Sequence, residues 1–227
     1  MNENLQTILF YLRNKRFAIK KMLTFIPPIN EEKTEDTQIA YGIYFNSLTA
    51  LIDFTKNKIE NLALNNDKLS VLEQNLISIV GSDNNYRYIR ELRNSIVHRG
   101  YDVLKMAYMY KNIMVPASPA ILNKHNSKSP ISYQSFMPSL FEIVKVTEKI
   151  NPFIYTYCDN NSLLGFHPRT EKELEFEIQN SPYIPDYAKQ LAKFSHVDID
   201  ALNKGLEEKY NTRIKLCFDT SDLLNSI

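Results

Sequence analysis

The segment GSDNNYRYIRELRNSIVHRG, residues 81–100, decides the interpretation of the chain because each of its ends carries a signal for a helix terminus. Ser82 or Asp83 suits the N-cap, since a short polar side chain accepts hydrogen bonds from the first free backbone N–H groups. Gly100 suits the other end, where a left-handed residue often stops a helix. Between these ends, three apolar residues recur at helical spacing: Ile89, Leu92 and Ile96. The segment therefore predicts one amphipathic helix with one side facing the core.

Apolar periodicity predicts further helices on both sides of this segment. We expect them over Asn4–Phe25, about 39–62, Lys68–Gly81, Tyr133–Tyr157 (re-aimed near Pro138 and Pro152), Tyr187–Phe194 and Ile199–Tyr210. The predicted fold is therefore mainly α, an antiparallel helical bundle over residues 1–160. A small C-terminal extension of unknown role follows over residues 161–227, and its alternating stretch Ile214–Phe218 leaves room for a short β element.

One stretch does not reveal its secondary structure. Residues 102–115 fit either a pair of strands or an extension of the preceding helix, and periodicity does not decide between them. Three prolines and the polar residues 123–129 then predict a loop. Both the strand pair and the helix extension therefore remain open before this loop.

Composition places the chain among ordinary globular proteins. Apolar residues make up 44% and charged residues 23% of the sequence, and the formal net charge is +1. Any attraction to nucleic acid must therefore come from a local patch. The two cysteines, Cys158 and Cys217, lack paired spacing, which is typical of a reducing compartment. Since no apolar run approaches the roughly 18 residues of a membrane span, we expect a cytoplasmic protein without membrane contact.

A local basic patch lies on the same predicted helix. Residues 86–99 hold four arginines against one acidic residue, a local charge of +3: Arg87, Arg90, Arg93 and Arg99 against Glu91. Asn94 and His98 stand four residues apart and share one side of a helix with Arg90. Arg93 and His98 are about 140° apart around the axis, so within one straight helix we expect them not to meet. By spacing alone, the pattern also fits an exposed basic face with a solvated histidine.

The motif Arg93-Asn94-x3-His98 resembles the signature of the HEPN family, in which an arginine and a polar residue are followed by three residues and a histidine. Two aliphatic residues just before the histidine add to the likeness, which covers roughly residues 1–160. The resemblance implies an up-and-down helical bundle that forms a homodimer. Two motif helices would meet across the two-fold axis, and their histidines and arginines would share one cleft.

Many HEPN proteins are metal-independent endoribonucleases, and the resemblance implies a role for each motif residue. His98 would act as acid or base toward the ribose 2′-hydroxyl or the 5′-oxygen leaving group, leaving a 2′,3′-cyclic phosphate. Arg93 would stabilise charge on the scissile phosphate, while Asn94 would orient His98 or contact the substrate. Three more residues are expected to contact RNA: Arg90, Arg99 and Tyr101. We expect a toxin or antiphage effector that cleaves RNA without a metal ion or other cofactor.

Other interpretations also fit the sequence. Some HEPN proteins are non-catalytic, so the bundle could instead bind RNA or a protein partner such as an antitoxin. Some toxins of the family carry a tyrosine two residues after the histidine, to which an antitoxin attaches AMP. Here Gly100 occupies that position and Tyr101 follows it, which argues against this form of regulation. Outside the family, the chain would be a helical adaptor whose basic stripe is ordinary surface, with Tyr101 packed at the end of the helix.

Two further charged segments have a plain and a functional interpretation. The first predicted helix carries five cations, which favour a solvated face but could also bind an RNA backbone: Arg13, Lys15, Arg16, Lys20 and Lys21. The glutamates of segment Glu171–Glu177 favour an exposed helix start, although they could also imitate nucleic acid or cover the cleft of a partner subunit. The plainer interpretation places all of these side chains in solvent.

Overall fold

The computed structural model describes residues 3–61, 66–110, 112–123, 126–136, 139–161, 163–164, 168, 170–192, 198–218 and 220. The predicted mainly helical fold with a short β element is confirmed. The helices are α1 (Glu3–Met22), α2 (Glu31–Asn61), α3 (Asn66–Val80), α4 (Asp83–Arg99), α5 (Leu140–Glu148), α6 (Ile150–Asn160), α7 (Glu171–Asn180), α8 (Asp186–Ala192) and α9 (Ile199–Phe218). Two antiparallel hairpins lie between α4 and α5: β1 (Ala107–Tyr110) with β2 (Ile113–Pro116), and β3 (Ile121–Asn123) with β4 (Asn126–Ile131).

The hydrophobic core lies between the long helices. α1 and α2 make the most extensive helix–helix contact, and α4 also packs against α2. On α4, Ile89 and Leu92 are buried and Ile96 is half-buried, so the predicted core-facing side is confirmed. The fully buried aromatic side chains come from α2 and α4: Tyr41, Tyr44, Phe45 and Tyr88. Burying such rings supplies much of the apolar area that stabilises a bundle of this size.

Both predicted ends of α4 are confirmed. The Ser82 hydroxyl accepts a hydrogen bond from the backbone N–H of Asn85 at 3.1 Å, as an N-cap does. Gly100 adopts a left-handed conformation with φ of 63° and ψ of 32°. The N–H groups of Gly100 and Tyr101 both donate to the Ser95 carbonyl, which closes the helix. Local sequence signals therefore determine where the motif helix begins and ends.

Among the described residues after α4, 107–110 pair with 113–116 and 121–123 pair with 126–131, so the strand alternative holds and the helix extension is wrong. The polar loop that the sequence predicts over residues 123–129 is also wrong in part, because β4 begins at Asn126. The predicted helix Tyr133–Tyr157 begins only at Leu140, where Ser139 caps it, and breaks at Lys149. Tyr133 instead packs edge-on against Tyr88, with ring centroids 5.8 Å apart. Pro152 lies in the first turn of α6, where a helix tolerates proline, and Pro138 lies outside the described residues.

The C-terminal region is helical throughout the described residues 199–218. The alternating stretch Ile214–Phe218 forms the end of α9 and not a strand, because alternation over five residues is too short to distinguish the two structures. α9 packs against α1 and α6, and the Phe218 ring lies 4.9 Å from that of Tyr155. The division at residue 160 stays a prediction. In the described part of the chain, no helix has the length and apolar character needed to cross a membrane.

Lys15 corrects the prediction of a fully solvated basic face on α1. Its side chain is completely buried, whereas Arg13 and Lys20 are exposed as expected. The reason is helical spacing: Lys15 lies seven residues after Ile8 and seven before Met22, and both of these are buried. The acidic segment of α7, by contrast, is exposed as predicted, and Thr170 and Glu173 cap it reciprocally.

Candidate functional site

The motif residues lie where α4 crosses α2. A Cβ placed on Gly42 of α2 would meet the Ile96 side chain of α4 at 3.5 Å, so the two helices approach closely there. One turn along α2, Asn46 lies beside Arg93. From Gly42 to Asn46 the numbering rises along α2, whereas their partners on α4 fall from Ile96 to Arg93. The two helices therefore run antiparallel at this crossing. The crossing therefore brings a side chain of α2 into the motif that α4 carries.

The Arg93 guanidinium is the centre of the site. Its Nε and Nη2 groups both donate to Asn46 Oδ1, at 3.3 and 3.0 Å. Its Nη1 group donates to Asn94 Oδ1 at 3.1 Å and also lies 3.1 Å from His98 Nε2. Arg93 and Asn94 are half-buried and His98 is exposed. These contacts hold the flat guanidinium in one orientation at the surface of the bundle.

The expectation that Arg93 and His98 do not meet within one chain is wrong. The 3.1 Å contact between them lies within a single helix, because the long arginine side chain bends toward the C-terminal end of α4. Arginine can only donate, so this contact is a hydrogen bond only when His98 Nε2 is the unprotonated ring nitrogen. Asn94 faces Arg93 rather than the His98 ring, so it orients the histidine only through the arginine.

Arg93 keeps an uncompensated positive charge. Its partners Asn46 and Asn94 carry no charge, and among the residues that the structure describes no carboxylate lies within ion-pair distance of it. Arg99, one turn further along, differs: its Nη2 group lies 2.9 Å from Glu91 Oε2. Of these two cations, Arg93 is the one held ready for an external anion, since a guanidinium pairs most strongly with phosphate or carboxylate oxygens.

The residues predicted to contact RNA are not equally accessible. Arg90 is exposed on the side of α4 that also carries His98, as the spacing predicts. Arg99 is exposed too, but Glu91 and Ser95 orient its side chain along the helix. Tyr101 is half-buried against the core, and burial together with the nearby Asp102 charge raises the pKa of its phenol. Arg90 is thus exposed one turn before Asn94, Arg99 is held by an ion pair along the helix, and only Tyr101 of the three packs against the core.

A second charged cluster lies inside the bundle, and nothing in the motif pointed to it. Lys15 Nζ lies 3.0 Å from Glu148 Oε1 and also donates to Asn151 Oδ1. The hydroxyls of Tyr44 and Thr220 each donate to the Glu148 carboxylate at 2.7 Å. Every member of this buried cluster therefore has partners, as the low-dielectric interior requires.

The protonation states in the buried cluster follow from competing effects. Burial alone would raise the pKa of Glu148, but the Lys15 charge and the hydrogen bonds from Thr220 and Tyr44 outweigh it, and the pKa is lowered. Burial lowers the pKa of Lys15, although the Glu148 charge opposes it. Burial and the Glu148 charge both raise the pKa of Tyr44. The cluster thus holds an ionised carboxylate in the interior and joins α1, α2, α5 and residue 220.

Sequence reasoning missed two residues that organise these centres. Asn46 carries no signal in the sequence, because it is neutral and 47 positions away from Arg93; only the packing of α4 on α2 reveals it. Lys15 does carry a signal, namely a cation in the apolar stripe between Leu12 and Ile19. In the described part of the chain, no group of three or more His, Cys, Asp or Glu side chains is placed to hold a metal ion.

Comparison of the chain with models of known protein families, with curated proteins and with solved structures finds no match. The resemblance to HEPN proteins therefore stays a prediction from the motif. The function has to be argued from the geometry of Arg93, Asn94 and His98.

Proposed function

We propose that the protein is a HEPN-type endoribonuclease that cleaves RNA without a metal ion, as a toxin or antiphage effector. One observation carries the proposal: the uncompensated Arg93 guanidinium lies 3.1 Å from the exposed His98 imidazole. A fixed positive charge beside an imidazole, which can accept or donate a proton, matches what cleavage of a phosphodiester requires.

In the proposed mechanism, the scissile phosphate takes the place of His98 as a partner of Arg93. The guanidinium forms hydrogen bonds to the phosphate oxygens, and Asn46 holds it in the same plane. His98 Nε2 is then released to accept the proton of the ribose 2′-hydroxyl. The 2′-oxygen attacks phosphorus and the 5′-oxygen leaves with a proton, which yields a 2′,3′-cyclic phosphate and a 5′-hydroxyl. A second His98, from another copy of the chain, would supply that proton.

We further propose that the active form is a homodimer built on the outer surface of α2 and α4. One apolar residue on each of these helices is exposed in the single chain: Ile39 of α2 is 59% and Val97 of α4 is 42% accessible to solvent. Ile39, Ile43 and Asn46 follow one side of α2 at helical spacing. Burying such residues against a second copy would bring two copies of His98 toward one cleft.

Incubation of the purified protein with RNA in EDTA tests the proposal. We expect cleavage products with 2′,3′-cyclic phosphate and 5′-hydroxyl ends, and a solution mass of two chains. Products with 3′-hydroxyl ends, or cleavage that EDTA abolishes, would rule the mechanism out.

The second candidate function is binding of RNA or a protein partner, such as an antitoxin, without catalysis. The hydrogen bond from Arg93 favours it, because that bond occupies the lone pair that His98 Nε2 needs as a base. This candidate predicts RNA retention or partner capture with no cleavage products. Arg93→Ala would then weaken binding, while His98→Ala would change it little.

A further inference from the structure

A pocket of about 290 Å³ lies between the β1–β2 hairpin and α5, away from the motif residues in sequence. Four aromatic side chains from three different segments line it: Tyr108, Tyr110, Phe136 and Phe141. Two charged residues from one turn of α5, Glu142 and Lys145, also line it, together with Val115, Ser135 and Ser139. Aromatic walls with a few polar groups are typical of pockets that bind small planar ligands.

The cation in this pocket is held by rings and not by a carboxylate. Lys145 Nζ lies 5.4 Å from the centre of the Tyr110 ring and 5.5 Å from that of Phe141. Its side chain is half-buried, and no acidic residue among those the structure describes forms an ion pair with it. Aromatic faces attract an ammonium group but do not neutralise it. Lys145 therefore remains able to bind an anionic group of a ligand.

Two of the four aromatic residues of the pocket are exposed to solvent, whereas Phe141 is buried. The Phe136 side chain is fully accessible to solvent, and Tyr110 is 38% accessible. An exposed ring beside a cavity gains apolar contact when a flat molecule stacks on it. Glu142 is exposed at the same pocket, where its carboxylate can accept hydrogen bonds from N–H groups. A ligand that uses all of these groups is flat, carries N–H donors and bears a negative charge.

We infer that this pocket binds a nucleotide unit, with the base stacked between the aromatic side chains and the phosphate against Lys145. Base N–H groups donate to Glu142, which disfavours aromatic acids that lack such donors. The volume lies at the lower end of the roughly 300–1,000 Å³ of ligand pockets, so it suits one nucleotide rather than a dinucleotide cofactor. The nucleotide is either a free mononucleotide or one residue of a single-stranded RNA; the second source rests on the proposed function.

Two binding measurements distinguish these sources. Calorimetry with AMP, GMP, CMP and UMP measures capture of a free nucleotide. Fluorescence anisotropy with a 2′-O-methyl oligoribonucleotide, which lacks the attacking hydroxyl and is not cleaved, measures capture of an RNA residue. In whichever of the two assays the wild-type protein binds its ligand, we expect Phe136→Ala and Lys145→Met each to weaken binding at least about fivefold. Base–aromatic stacking contributes that much or more.

Matched controls lie outside the pocket. Lys149→Ala removes an exposed cation just beyond the end of α5, and Phe176→Ala removes an exposed ring of α7. Both should leave binding within about twofold. Equal weakening by the controls, or no effect of the pocket variants in either arm, would overturn the inference. Circular dichroism confirms that each variant is folded, which we expect of Phe136→Ala because the ring has no buried contact to lose.

The two proposals fail separately. If wild-type protein cleaves RNA in EDTA while the pocket variants bind both ligands normally, the pocket inference is wrong and the proposed function stands. If no cleavage occurs but a mononucleotide binds with the expected loss in Phe136→Ala and Lys145→Met, the pocket inference stands and the proposed function is wrong.

Discussion

Arg93 Nη1 and His98 Nε2 lie 3.1 Å apart on the same helix, although they are five residues apart. Backbone geometry alone separates two such positions by about 140° around the axis. The contact exists because the arginine side chain extends along the helix surface while Asn46 of α2 fixes its other edge. In the proposed mechanism, RNA phosphate competes with His98 for this guanidinium, so Arg93 both restrains the base and binds the substrate.

Asn46→Ala should lower the rate of RNA cleavage by about tenfold to a hundredfold. The asparagine oxygen accepts two hydrogen bonds from the charged Arg93, and hydrogen bonds to charged groups contribute about 1.5–3 kcal/mol. Asn46 is exposed, so the fold should persist. Single-turnover kinetics on a short RNA measure the change.

Because Asn46 acts through Arg93, its loss should be invisible once Arg93 is gone. The double variant Asn46→Ala/Arg93→Ala should therefore cleave at the same rate as Arg93→Ala alone. Full additivity of the two effects would contradict the positioning role.

Lys15→Met should lower the free energy of unfolding at pH 7 by about 3 kcal/mol or more. The substitution leaves the Glu148 carboxylate buried without its counter-charge, and breaking a buried ion pair costs about 3–5 kcal/mol. The double variant Lys15→Met/Glu148→Gln should recover most of this loss, because it removes the buried charge and its amide oxygen still accepts from Thr220 and Asn151. The amide N–H can donate to the Tyr44 hydroxyl, which still donates to the Val144 carbonyl. Urea unfolding of the three proteins tests this; a single variant as stable as wild type would show that the pair is not buried in solution.

Acid should destabilise the protein through Glu148. The pKa of this carboxyl is below its ordinary value of 4.5, so the unfolded chain takes up the proton first as the pH falls. Its stabilising contribution is therefore complete above about pH 4.5 and is lost as the pH falls through the folded-state pKa. Unfolding free energies measured from pH 6 to pH 3 should fall less steeply in Lys15→Met/Glu148→Gln than in wild type, by at most about 1.4 kcal/mol per pH unit. Identical slopes would mean that Glu148 is not the group responsible.

Gly100→Ala should destabilise the protein by about 1 kcal/mol. Gly100 has φ of 63° at the end of α4, a conformation that costs residues with a Cβ about 1–2 kcal/mol. Gly205, in the interior of α9, is the matched control, because a Cβ there would meet nothing within 4 Å. Gly205→Ala should stabilise the protein by about 0.5–1 kcal/mol. Thermal unfolding compares the two, and a neutral Gly100→Ala would argue against the left-handed cap.

Sequence alone predicts those parts of the fold that local signals determine. Ser82 and Gly100 delimit α4 because caps act within a few residues. The stretch Ile214–Phe218 alternates like a strand but forms a helix, because alternation over five residues does not distinguish the two structures. The sequence does not predict the two hairpins between residues 107 and 131, because strand pairing depends on the partner strand and not on periodicity within one segment.

The candidate site shows the same limit. Residue spacing identifies Arg93, Asn94 and His98 as a group. It wrongly predicts that the arginine and the histidine do not touch, because it considers the angle around the helix axis and not the length of the arginine side chain. Asn46 was out of reach of sequence reasoning, since tertiary packing alone brings α2 beside α4. Lys15 is buried because its position in the apolar stripe of α1 outweighs the tendency of a charged side chain to lie in solvent.

The most direct test of the proposed function compares RNA cleavage by wild type, His98→Ala and Arg87→Ala in EDTA. Arg87 is an exposed cation on the same helix and outside the Arg93 cluster, so it controls for loss of positive surface charge. We expect His98→Ala to reduce the single-turnover rate at least about a hundredfold, as loss of a general acid–base group does, and to leave the solution mass unchanged. Arg87→Ala should stay within about threefold of wild type. Cleavage by His98→Ala at the wild-type rate would contradict the account.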